Sequence, residues 1–209
     1  MTGVQTCALP ILARAASSES TDVKLLDLAA EHIRQHGLAR TTVVAIAREA
    51  DMSHANVYRY FPSKEALVDA VTAQWLKPVE TGLREISDGP DPVFDKLERI
   101  LSAVHSAYRN KLESDPIIFA LFVEATREGR GVARRHRLKL QSEVQRVVEE
   151  ASFSPPDQRR ALALIFDMCH RFLNPASIRA DGEVTRPQIE ARFERVVRAL
   201  IRTLSTAPL

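Results

Sequence analysis

Residues 38–76, LARTTVVAIAREADMSHANVYRYFPSKEALVDAVTAQWL, decide the fold. Their spacing predicts two short helices joined by a tight turn, followed by a third helix. Thr42 can cap the first, whose apolar face is Val43, Ile46, Ala47 and Ala50. Ala50-Asp51-Met52 makes the turn. Ser53 is suited to cap the second helix, where Val57 and Tyr60-Phe61 return at helical spacing, and Pro62 ends it by disfavouring helical backbone in the residue before it. Two turns of helix are unstable alone, so this pair must pack against neighbours. The first turn of the second helix, Ser53, His54, Ala55 and Asn56, is short and mostly polar. Such side chains suit a helix whose N-terminal turn enters a major groove about 12 Å wide.

The run Ile46-Ala47, Ala50-Asp51-Met52-Ser53, Tyr58, Tyr60-Phe61, Ser63-Lys64-Glu65 and Leu67 resembles the helix-turn-helix signature of the TetR/AcrR family of one-component repressors. Many members have Gly where this chain has Asp51; Asp tolerates left-handed backbone better than most residues, so the turn is expected to survive. The resemblance implies an N-terminal three-helix DNA-binding domain followed by a helical regulatory and dimerisation domain. It assigns base-edge contacts to Ser53, His54, Ala55 and Asn56, with Asn56 suited to adenine and Ala55 to a thymine methyl. It assigns phosphate contacts to Thr42, Tyr58, Arg59, Tyr60 and Lys64, which fix register without reading sequence. Core packing is the competing role for Tyr58 and Tyr60, and a solvated face for Lys64.

Outward from this stretch the chain reads as all-α. A helix from Asp22 to His36 presents Val23, Leu26, Ala29, Ala30 and Ile33 on one face and stops at Gly37. Ser63 caps a helix running from Lys64 to Trp75 or beyond, and residues 87–92, SDGPDP, form a loop. Further helices are expected over Val93–Glu113, from Asp115-Pro116 to Gly129-Arg130-Gly131, over Val132–Ala151, Pro156–Leu173 and Arg186–Leu204. About nine helices result, with NPASIRADGEVTRP as a linker before the last. The expected domain limits are 12–76 for DNA binding and 77–209 for ligand binding and dimerisation.

Composition suits a small regulator. The 209 residues are 45% hydrophobic and hold only 7 Gly, enough for two cores and little else. No apolar run approaches the roughly 20 residues that span a bilayer, so a cytoplasmic protein without membrane contact is expected. The two cysteines, Cys7 and Cys169, form no zinc-ligand spacing or disulfide framework. The net charge is +2, and residues 12–76 carry seven Lys and Arg against eight Asp and Glu. DNA affinity must therefore come from placement, with Arg40, Arg48, Arg59 and Lys64 near the groove and the charge doubled by dimerisation.

The last two helices are the expected dimer seam. Leu162, Ile165, Phe166, Cys169, Phe172 and Leu173 on one, and Ile189, Phe193, Val196, Val197, Leu200, Ile201 and Leu204 on the other, are broad apolar stripes. Two helices from each subunit would make a four-helix bundle and set two recognition helices about one DNA turn apart, implying a near-palindromic operator. The competing role is closure of the monomer core. By family analogy, a small-molecule effector enters the larger domain and spreads the reading heads. Trp75, His105, Tyr108, Phe119, Phe122, Met168, Cys169 and His170 are the candidate lining. The basic run Arg127, Arg130, Arg134, Arg135, Arg137 and Lys139 suits either an anionic effector, such as an acyl thioester, or a solvated helix face.

Other classes fit less well. There is no Gly-rich phosphate loop, nucleophile elbow or strand framework for an enzyme, and no cofactor is expected. His32 and His36 have the i, i+4 spacing of a metal pair, but no third ligand is evident in the sequence, so no metal is assigned. Asp167 and His170, at i, i+3, read as hydrogen-bonded core residues before they read as cation ligands. A helical interaction or scaffold protein remains the alternative; it would not need Tyr58, Lys64 and a polar turn at Ser53–Asn56 together. Residues 1–11, MTGVQTCALPI, resemble the conceptual translation of a short-read sequencing adapter, so native sequence is expected to begin near Leu12. Family members often carry a basic arm there; only Arg14 remains of one.

Overall fold

The computed structural model describes residues 21–206, and the resemblance over residues 1–11 lies outside them. Ten α-helices occur among the described residues: α1 (Thr21–His36), α2 (Val43–Glu49), α3 (His54–Tyr60), α4 (Lys64–Asp88), α5 (Val93–Ser114), α6 (Pro116–Arg127), α7 (Gly131–Glu150), α8 (Pro155–Leu173), α9 (Pro175–Ala180) and α10 (Arg186–Thr206), with a 3₁₀ turn at Leu38–Arg40. The expected all-α class is what the structure has.

Local chemistry sets the boundaries. Gly37, at φ +78°, ends α1, and its N–H donates to the Ile33 carbonyl at 2.9 Å. The side chains of Thr42, Ser53 and Ser63 accept N–H groups of Ala45, Asn56 and Ala66, so all three predicted caps form. Asp51 adopts φ 52°, the left-handed backbone that the turn between α2 and α3 requires. Asp115 caps α6 by accepting from Ile118 N–H at 3.2 Å, with Pro116 at the first helical position, where a missing N–H costs nothing.

Two expectations are corrected. The loop expected over residues 87–92 begins two residues later, because Ser87 and Asp88 still belong to α4. Part of the expected linker is α9, opened by Asn174, whose side chain accepts from Ser177 N–H at 3.1 Å ahead of Pro175. An Asn-Pro pair signals a turn and a six-residue helix shows little periodicity, so the element is invisible to pattern. The limit drawn at residue 76 falls inside α4, which runs unbroken through it with Pro78 in its interior.

Two apolar cores sit along α4. The first joins Leu25, Ala29 and Ile33 of α1, Ile46 and Ala47 of α2, Val57 of α3, and Leu67, Val68 and Val71 of α4. Ile118 and Leu121 of α6 complete it, so the three-helix head is closed by a helix from the other domain. The second core gathers Leu83 of α4, Ile100, Leu101 and Val104 of α5, Phe119 and Phe122 of α6, Val144 and Val147 of α7, Ile165 of α8, and Phe193 and Leu200 of α10. Trp75 packs against both. Each fully buried Leu, Ile or Phe side chain adds about 1.5–3 kcal/mol of transfer free energy, as an upper figure.

Candidate DNA-binding interface and effector cavity

The caps that start α2 and α3 also shape the reading face. Thr42, Val44, Arg48, Asp51, Met52, Ser53 and His54 border one hollow between these helices. Thr42 Oγ1 accepts from Ala45 N–H at 3.0 Å and Ser53 Oγ from Asn56 N–H at 3.3 Å. Each hydroxyl hydrogen remains available to an outside acceptor. His54 and Ala55 are exposed on the first turn of α3, and Asn56 is half-buried.

Tyr58 and Tyr60 are 45% and 43% exposed, which removes core packing as their role. Lys64 is already engaged: its Nζ donates to the carbonyls of Leu38 and Ala39, at 2.5 and 3.3 Å, pinning the start of α4 to the 3₁₀ turn. Arg40, Arg48 and Arg59 are exposed and form no ion pair among the described residues. An even charge balance thus coexists with three uncommitted guanidinium groups on the head, suited to phosphate.

The larger domain holds a cavity of about 360 Å³, near the lower end of ligand-site volumes. Tyr108, Phe122, Ala133, Leu140, Phe166 and Leu173 give it apolar walls; Thr126, His136, Gln141, His170 and Asn174 give it polar groups, and Arg134 and Arg137 add positive charge. Of the expected lining, Tyr108, Phe122 and His170 are there. Trp75, His105, Phe119, Met168 and Cys169 are not among the lining residues. Phe119 and Cys169 are wholly buried in packing, and Trp75 stacks edge-on behind Phe122 and Tyr108, with ring centroids at 5.4 and 6.3 Å. His105 lies against Phe193 at 4.4 Å. Burial pulls the His105 pKa down, even though its Nδ1 reaches the Phe172 carbonyl at 3.1 Å. Burial pushes the Cys169 thiol up to about 12, which leaves it inert as a nucleophile at neutral pH.

A polar chain leaves this cavity, buried at Tyr108 and His136 and half-buried at Glu80. Tyr108 Oη lies 2.7 Å from His136 Nε2, and His136 Nδ1 lies 2.9 Å from Glu80 Oε1 on α4. Burial alone would raise the Glu80 pKa, but hydrogen bonds from His136 and Lys139 outweigh it and hold the carboxyl below its usual range. Burial, with the nearby Glu80 charge, raises the Tyr108 phenol far above its ordinary value. Glu80 can only accept, so His136 Nδ1–H donates to it, and the other ring nitrogen, Nε2, shares a hydrogen bond with the Tyr108 hydroxyl. Sequence reading missed Glu80 and His136, which lie 56 residues apart with no local pattern linking them.

The basic run divides. Arg127 pairs with Glu124, Arg130 with Asp69, and Lys139 with Glu80, while Arg134 and Arg137 face the cavity. Asp167 and His170 are exposed rather than core residues.

The expected dimer stripe is largely internal. Ile165, Phe172, Phe193, Val197 and Leu200 are at most 5% exposed in the single chain, so these side chains pack into its own core. Leu162, Phe166 and Ile201 remain half-buried. Periodicity identifies an apolar face but not what covers it.

Comparison with known proteins agrees with this architecture. Residues 25–71 match the family described as bacterial regulatory proteins, tetR family, and residues 94–197 match the tetracyclin repressor-like C-terminal domain. The HTH-type transcriptional regulator UidR of Escherichia coli strain K12 is 25% identical over 197 residues, covering 91% of this chain and 95% of UidR. Nucleoid occlusion factor SlmA of Haemophilus influenzae is 32% identical over 71 residues, covering 32% of this chain and 33% of SlmA. A TetR/AcrR-family regulator from Thermobifida fusca superposes with a TM-score of 0.58 at 18% identity, over 87% of this chain and 97% of that one. BioQ, solved with its double-stranded DNA operator, superposes with a TM-score of 0.55 at 18% identity, over 88% of this chain and 99% of BioQ. No described helix is long and apolar enough to cross a membrane. The chain belongs to the TetR family, and is a DNA-binding transcriptional regulator rather than an enzyme.

Proposed function

We propose that this regulator is a homodimeric repressor that leaves a near-palindromic operator when a small molecule fills the cavity of the larger domain. The observation that carries the reading is the double duty of α6. Its Phe122 and Thr126 line the cavity, while its Ile118 and Leu121 on the same helix sit in the core of the DNA-reading head. A ligand that displaces α6 must repack the head, since packed cores shift between discrete arrangements rather than deform smoothly.

The chain Tyr108–His136–Glu80 is a second link, from the cavity wall to α4. Pro78, two residues before Glu80, cannot donate to the Gln74 carbonyl, which leaves a soft point between that link and the head. The cavity suits an apolar molecule bearing an anionic or hydrogen-bonding end, with Arg134 and Arg137 at hand.

Base contacts are proposed for Ser53, His54, Ala55 and Asn56, and phosphate contacts for Thr42, Tyr58, Arg59 and Tyr60, joined by Arg48. Lys64 acts first as a brace and reaches phosphate only by leaving the Leu38 and Ala39 carbonyls. Dimerisation is proposed on the outer faces of α8 and α10, through Leu162, Phe166 and Ile201, where the exposed Ala163 and Ala199 permit close approach. A protein that works on chromosomal DNA acts in the cytoplasm.

Thermodynamic linkage gives the test. A compound found to bind the cavity should weaken operator binding by the factor by which operator weakens the compound. A compound that binds there with equal affinity in the presence and absence of operator would contradict effector release through this cavity.

A further inference from the structure

The reading head brings together three side chains of metal-ligating type that no part of the repressor reading uses. His32 and His36 lie one turn apart on α1, and Glu49 closes α2. One ligand atom from each lies within 4.8 Å of the others. His32 is 9% exposed, and its Nδ1 is already 2.6 Å from Glu49 Oε1, while the two imidazole rings have centroids 4.5 Å apart. His36 and Glu49 are exposed, so solvent and ions reach the cluster.

We propose that His32, His36 and Glu49 form a site for a divalent transition metal, with Zn²⁺ the best match. Two imidazole nitrogens and one carboxylate oxygen are a common zinc donor set, and water supplies the fourth ligand on the open side. Zinc held at about 2.0–2.2 Å from each donor needs ligand atoms roughly 3.3 Å apart. The cluster is compatible with that spacing: the His32–Glu49 contact at 2.6 Å opens slightly, and no pair of ligand atoms is more than 4.8 Å apart. An i, i+4 histidine pair presents both rings on one helix face. The third ligand comes from a different helix, 17 residues from His32, which is why sequence spacing alone does not reveal it.

The consequence is mechanical. Glu49 ends α2 immediately before Ala50 and the left-handed Asp51, so a metal joining it to α1 fixes the helix that sets the recognition turn. Metal that binds the folded head and not the unfolded chain stabilises it by mass action.

The experiment uses the untagged full chain, freed of metal by chelation and titrated with ZnCl₂ by calorimetry, with Co²⁺ absorption as a report on geometry. The expected result is one Zn²⁺ per chain, a Tm raised by about 5 °C at saturation, and tetrahedral Co²⁺ bands. His36→Ala and Glu49→Gln both change exposed side chains, and each should weaken zinc at least tenfold while circular dichroism shows an intact fold. Absence of binding at up to about 100 μM zinc, or binding and Tm shift that persist in both variants, would overturn the assignment.

Discussion

Arg34 of α1 and Asp115 at the start of α6 tie the DNA-reading head to the regulatory domain: Nε and an Nη nitrogen of Arg34 reach the same Asp115 oxygen at 3.1 and 2.9 Å. Lys111 donates to that oxygen at 3.0 Å, and the other oxygen caps α6. Burial would raise the Asp115 pKa, but these hydrogen bonds outweigh it and hold the carboxyl below its ordinary value. Asp115→Ala removes a cap and takes the shared carboxylate from Arg34 and Lys111, at a cost of about 1–2 kcal/mol. Asp115→Ser keeps a cap and should recover part of that loss. Urea unfolding of the three chains measures both.

On the reading face, Arg59→Ala should weaken binding to all sequences alike and lower the slope of log affinity against log salt by about one unit. Asn56→Ala should instead relax preference at one position of the operator. Lys64→Ala should lower thermal stability as well as affinity, because it frees the Leu38 and Ala39 carbonyls. Anisotropy titrations at several salt concentrations, beside melting curves, separate the three.

How much of this was legible follows from what is local. Thr42, Ser53 and Ser63 could be read as caps because a cap joins a side chain to a backbone N–H three residues on. Asp51 was legible because one backbone conformation suits that turn. The partner of an apolar stripe was not legible: Ile165, Phe193 and Leu200 carry the same pattern whether they meet a second subunit or their own core. Nor were Glu80 and His136, or Glu49 beside His32, since three-dimensional packing alone joins them. Only three of the eight residues expected to line the cavity do so, because large aromatic residues such as Trp75 and Phe119 fill cores as readily as they line pockets.

Acid should destabilise the larger domain through His105. Its folded pKa lies below its ordinary value, so just below pH 6.5 the unfolded chain takes up a proton that the folded chain refuses. Stability is therefore present above about pH 6.5 and falls as pH drops below it. Urea midpoints at pH 7.5 and 5.5 should differ, and His105→Gln should narrow the difference. An equal difference in the variant would assign the acid effect elsewhere.

Trp75 is the sole tryptophan of the chain and lies in ring contact with Tyr108 and Phe122 of the cavity wall. Cavity ligands should therefore change its fluorescence. Tyr108→Phe removes the hydroxyl that reaches His136 Nε2 and should cost about 1–3 kcal/mol by leaving a buried ring nitrogen unpaired. The same variant should reduce the coupling between ligand and operator more than it reduces ligand affinity. Paired titrations with and without DNA check this.

The central claim is that two copies of this chain read a symmetric DNA site through the first turn of α3. Selection from a random duplex library, followed by the stoichiometry of protein on the enriched duplex, tests it most directly. The account predicts a two-fold symmetric motif bound by an even number of chains, with enrichment abolished by combined replacement of His54 and Asn56 by Ala. Binding of equal strength to every duplex, with no motif enriched, would contradict it.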